Sequence, residues 1–242
     1  MDSLPEKTPA FAESVACRPS TKSVQEFIKK NYDGFDLEQV FTRLEALSLD
    51  KQFEWTEISA EISSSGNLIV RHEYDNLDFS DRPLLLTVIL NVAVDGSKIV
   101  ELKEMFLPRN LQRQGLSAKL LKPYYEQIRN TDVDFIRIEA SDAGGGYAWA
   151  KYGFEAVNQR DLHNILERAE TSTIEKPDIA DLRTSLVNFY KNRPDTIPFP
   201  IRTWTSFPFS EELLTGTTWR GILNLKDDDV RNTFEEYLYN RP

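Results

Sequence analysis

The chain has 242 residues, 40% hydrophobic and 28% charged, with a formal net charge of −10. That length can bury a core as one large domain or as a medium domain with an addition. The acidic balance argues against nucleic acid as a partner and suits either simple solubility or a cationic amine substrate.

The single cysteine, Cys17, excludes an internal disulfide framework and fits a reducing, cytoplasmic setting. Residues 1–22 are polar and punctuated by Pro5, Pro9 and Pro19, which predicts a flexible N-terminal arm. The first residues carry neither a basic segment nor an apolar one, so no secretion signal is expected. No apolar run approaches the ~20 residues of a membrane span. Val24, Phe27 and Ile28, then Leu37, Val40, Phe41, Leu44 and Leu47, recur at helical spacing on either side of Asp33-Gly34. Ser23 and Asp36 are the expected N-caps of these two helices, and no first strand is evident before them.

Phe53 to Ile62 and Asn67 to Tyr74 predict a hairpin around Ser64-Ser65-Gly66. Leu84 to Val94 is apolar almost throughout, as a central strand is. Asp95-Gly96 then turns the chain into a strand over Val100 to Leu107. A tight loop follows, Gln112-Arg113-Gln114-Gly115-Leu116-Ser117, which runs into a helix over Leu116 to Arg129. A glycine turn that enters a helix offers unpaired N–H donors and the positive end of a dipole, and so suits a phosphate. A strand over Val133 to Ala140 and a short helix over Gly146 to Tyr152 come next. The glycines before that helix, Gly144 to Gly146, allow close backbone approach to an anion or a plain turn. Two histidines, His72 and His163, are too few and too scattered for a metal site.

After Val157 the pattern turns helical at Asp161 to Ala169 and Ile179 to Tyr190. Then comes a Pro/aromatic segment, residues 195–209, which suits a substrate wall or a partner-binding polyproline stretch and is expected first as an ordered loop packed on the core. Trp219 to Leu225 is a candidate closing strand, and Asp227 to Tyr239 an amphipathic helix.

Gln112-x-x-Gly115-x-Ser117 resembles the Q/R-x-x-G-x-G/A signature of the GNAT superfamily of acetyltransferases. Tyr147-Ala148-Trp149-Ala150-Lys151-Tyr152-Gly153-Phe154 resembles that family's second signature, a helix ending in Gly-Phe. The likeness covers roughly Trp55 to Val157. It implies an α/β fold of α+β type: a mixed, mostly antiparallel central sheet flanked by helices, with a splayed parallel strand pair at the coenzyme site. It also implies a core over residues 23–158, and residues 159–242 become a C-terminal extension packed on that core or completing it.

The implied activity is N-acyl transfer from acetyl-CoA, as co-substrate and without a metal, to a primary amine on a small molecule, peptide or protein. By the same resemblance Arg113, Gln114, Gly115, Leu116 and Ser117 take the pyrophosphate, with Gln112 beside them. Met105, Phe106 and Leu107 hold the pantetheine arm, and Asp142 stands where relatives carry a cofactor-contacting asparagine. Glu101 is the implied general base, with Glu139 and Glu73 as alternatives. Glu104 is expected on the opposite face of the strand. The family's usual general-acid tyrosine is replaced by Trp149, whose indole cannot protonate a thiolate. Tyr147 is the substitute, and Tyr152 is expected in the core. The competing readings are a silent CoA-binding or interaction module and an acyltransferase toxin or effector. The acceptor and the oligomeric state are not implied.

Overall fold

The computed structural model describes residues 16–18, 21–51, 57–74, 84–108, 111–112, 114–141 and 145–240. It has the mixed α/β character expected: four described strand pairings are antiparallel and two are parallel, with helices around them. The chain divides into two units. One holds Met1–Lys98 and Glu104–Val133, and the other Ile99–Lys103 and Asp134–Pro242. No helix among the described residues is long and apolar enough to cross a membrane.

In the first unit the strands pair in the order β1-β2-β3-β4: Ala16–Arg18, Glu57–Ile62, Leu68–Tyr74 and Leu84–Val92. The hairpin expected around Ser64-Ser65-Gly66 joins β2 to β3, with Gly66 at φ 81° and its N–H donating to Ser63 O. Asp95-Gly96 closes the next turn in the same way, its Gly96 N–H donating to Ala93 O. Alternation places Leu68, Val70, Leu84, Leu86, Val88 and Leu90 on one face, all fully buried. Helices α1 (Thr21–Asn31), α2 (Leu37–Lys51) and α3 (Leu116–Arg129) supply the rest of this core. Leu116, Leu120, Leu121, Tyr124, Tyr125 and Ile128 form the buried stripe of α3. Asp36 caps α2 as expected, accepting from Gln39 N at 2.9 Å. Ser23 is not a cap, because α1 already begins at Thr21.

One further correction falls at the N-terminus. Residues 16–18 are a strand, not part of an arm, because β1 pairs in parallel with Ser59, Ala60 and Glu61. A three-residue strand carries no periodicity of its own, so only its partner reveals it. The remainder of the expected arm up to residue 20 lies outside the described residues, as do residues 53–56 at the expected start of the hairpin.

In the second unit the order is β5-β6-β8-β7, where β5 is Lys98–Phe106, of which Ile99–Lys103 belong to this unit, β6 Phe135–Ala140, β7 Glu155–Ala156 and β8 Trp219–Asn224. Strands β5 and β6 are parallel, and β8 runs antiparallel to both β6 and β7. The C-terminal part of the chain therefore completes this sheet. Between β7 and β8 the chain adds α5 (Gln159–Ala169), α6 (Lys176–Tyr190), a 3-10 turn (Ile201–Ser206) and α7 (Ser210–Leu214). Counting α4 (Gly145–Lys151), the last helix, α8 (Asp228–Tyr239), starts at Asp227, whose carboxylate accepts from Asp229 N and Val230 N. The Pro/aromatic segment is ordered as expected: Phe199, Ile201 and Trp204 are buried, and Phe199 bridges to Ala156. Gly221 must be glycine, since a Cβ there would meet the Trp219 ring at 2.7 Å and Ile138 at 2.8 Å.

Candidate active site

The residues singled out from the sequence fall into two sets, one in each unit. In the first, the strand β5 ends at Phe106 and the chain turns through Leu107 and Pro108. Gln112 closes this turn: its Nε2 donates to Leu107 O at 2.8 Å. The side chain named as a cofactor contact thus spends a donor on the backbone and shapes the loop. Gly115 caps α3 in the left-handed region, φ 71° and ψ 6°, where a side chain is strained. A glycine cap brings no side-chain acceptor, and the first turn of α3 holds no acidic residue. The positive end of the helix dipole therefore meets no carboxylate from its own first turn. Leu116 is buried and anchors the helix, while Ser117 is half-buried behind Gly115. Gln114 is exposed beside it. Arg113 and Asp142 lie outside the described residues.

From beneath, α3 is held by a buried pair. His72 Nε2 and the Tyr124 hydroxyl are 2.7 Å apart, with the Phe41 ring edge-on to the imidazole at 5.2 Å. Burial pushes the His72 pKa down to about 3 and the Tyr124 hydroxyl well up. The far end of the helix is fixed by Gln127, which accepts from Asp36 N and donates to Gln39 Oε1. One of the sequence candidates, Glu73, belongs to this unit as well, as does Glu104. Glu73 is half-buried on β3 and pairs with Arg71 at 3.5 Å. Glu104 accepts from Thr87 Oγ1 at 3.2 Å.

In the second unit, Glu101 and Glu139 come together on one face. The parallel ladder between β5 and β6 runs from Ile99↔Phe135 to Leu102↔Ile138 and ends there, although β6 continues to Ala140. At the next position side chains take over from backbone. Lys103 Nζ lies 3.5 Å from Glu101 Oε1 and 3.5 Å from Glu139 Oε2. Glu101 holds the Lys103 ammonium above its ordinary pKa most strongly, slight burial opposes this, and Glu139 adds to it. Lys103 was not among the residues picked from the sequence. Its signal was the Glu101-x-Lys103 alternation, which puts both side chains on one face.

Tyr147 is half-buried on α4, with Lys151 Nζ 4.2 Å from the centre of its ring, one helical turn on. Trp149 is core: it is buried, its ring 5.3 Å from Phe154 and 5.5 Å from Tyr152, which is buried too. Gly146 has a packing role. A Cβ there would overlap the Leu214 carbonyl oxygen and lie 2.6 Å from Thr217 Oγ1, and its own carbonyl accepts from Trp219 Nε1 at 3.3 Å. Among the described residues no cluster of three or more His, Cys, Asp or Glu is placed to hold a metal ion.

Comparison of the chain with protein-family models finds no match, and comparison with curated proteins finds none either.

Proposed function

We propose that this chain is a GNAT-type N-acyltransferase, moving an acetyl group from acetyl-CoA to a primary amine. One observation carries the reading. Gly115 caps a long helix in the left-handed conformation, with no acidic side chain in the first turn, in a loop that directly follows a sheet strand. This is the backbone form that receives a diphosphate.

Acetyl-CoA, when bound, supplies an acyl group activated as a thioester. The chain's residues do the rest. Backbone N–H groups from Gln114 to Ser117 take the diphosphate charge. The main chain of Met105, Phe106 and Leu107 holds the pantetheine arm, and Gln112 keeps Leu107 O in place. Glu101 accepts the proton of the attacking amine, with Glu139 on the same face as its alternative. Tyr147 returns a proton to the departing thiolate. The ladder of β5 and β6, which stops short of the end of β6, supports the same reading. A lone cysteine, Cys17, suits the cytoplasm.

A second reading, a silent CoA-binding module, is favoured by the burial of Trp149 where relatives carry an acidic tyrosine. Thermal-shift titration with acetyl-CoA tests what both share. A ligand at 100 times its Kd stabilises the native state by about 2.7 kcal/mol, so the melting temperature should climb with concentration. A flat response at millimolar acetyl-CoA removes both. Transfer to any amine in a broad screen then separates the enzyme from the silent module.

A further inference from the structure

We propose that Lys103 is a self-acylation site, the amine that the chain acetylates from its own bound thioester donor when no external acceptor is present. The inference rests on the acetyl-CoA reading above and adds to it a residue that the reading does not use.

Lys103 is the amine held beside the proposed base. Its Nζ sits 3.5 Å from Glu101 and 3.5 Å from Glu139, at the position just past the end of the parallel ladder. It lies two residues before Met105 on the same strand, and alternation puts Glu101, Lys103 and Met105 on one face. The Lys103 side chain is 45% exposed, so a reagent in solution can meet it. Holding an amine and its base next to a bound acyl donor replaces a bimolecular encounter, which favours this lysine over others on the surface.

The step balances with the chain's own groups. The ammonium gives one proton to Glu101, and the freed Nζ attacks the thioester carbonyl carbon. A C–N bond forms, the C–S bond breaks, and the second Nζ proton goes to the thiolate. Ammonium plus acetyl thioester thus yields an acetyl-lysine amide, a free thiol and one proton. The two carboxylates hold Lys103 as an ammonium, so the reaction is slow beside transfer to a good acceptor. Its product is uncharged and pairs with neither glutamate. Acetylation therefore takes the shared counter-ion away from Glu101 and Glu139 and lowers the net charge of that face by one.

The full chain incubated with acetyl-CoA and mapped by peptide mass spectrometry tests this. We expect one acetyl group on Lys103, at about tenfold or more the occupancy of exposed Lys22. The rate should be independent of protein concentration and suppressed by excess desulfo-CoA. Lys103→Arg, which keeps a cation between the carboxylates, should take up no label there. A second readout needs no turnover: desulfo-CoA should shield Lys103, and not Lys22, from N-hydroxysuccinimide acetate. If acetyl-CoA raises the melting temperature but Lys103 is labelled no faster than Lys22, the inference falls while the acetyl-CoA reading stands. If acetyl-CoA leaves the melting temperature unchanged, both fall.

Discussion

Gly115 and Gly146 both stand at the entry to a helix, each in a short polar stretch, and by sequence both suit an anion. Gly115 is there for conformation: its φ of 71° is one that side chains rarely adopt. Gly146 is there for space: the Leu214 carbonyl and the Thr217 hydroxyl occupy the volume a methyl group would need. The same residue type serves a backbone shape in the first unit and a close approach in the second. The difference assigns roles. Under the proposed function the first unit's loop takes the charged part of the coenzyme, and the second unit carries the side chains that react.

Glu101→Gln should separate those roles most sharply. With an acceptor amine from the screen, kcat should fall by roughly 10²–10⁴, while acetyl-CoA affinity stays as it was. Unchanged kcat would hand the base to Glu139, to Glu73 or to water. Acid should then act on the first unit through His72. Its folded pKa, about 3, lies below the ordinary 6.5, so its contribution is complete above pH 6.5 and is lost as pH falls toward 3. The loss is on the order of 4 kcal/mol by pH 3. Hydrogen exchange at pH 7 and pH 4 should show α3 amides opening first; uniform loosening of both units would contradict the pair's role. Gly146→Ala should cost about 3 kcal/mol in urea unfolding, because the clash is with backbone. Gly115→Ala should cost only about 1 kcal/mol, the strain of one left-handed residue. Equal costs at the two glycines would erase the distinction between them.

What the sequence made legible was local. Asp95-Gly96, Ser64-Ser65-Gly66 and the stripe of α3 each carry their signal within a few residues, and each element lies where expected. The glycine loop was equally readable, because its conformation is demanded by Gly115 itself. Long-range placement was hidden. Strand β1 exists only through its pairing with β2, and the two residues of β7 are a strand only because β8 returns beside them. Lys103 joins Glu139 through the register of two parallel strands, which no spacing in the sequence encodes. The partners of Gly146, Leu214 and Thr217, lie beyond an inserted run of helices. Trp149 could be recognised as a departure from the family pattern, but its burial in an aromatic cluster could not.

The central claim is that the turn at Gly115 seats a diphosphate. Calorimetric titration with acetyl-CoA and with S-acetylpantetheine, which lacks that group, tests it most directly. The account predicts that acetyl-CoA binds at least about tenfold more tightly, about 1.4 kcal/mol, and that Gly115→Glu abolishes the difference. Equal affinity for the two ligands, or a preference that survives Gly115→Glu, would contradict it.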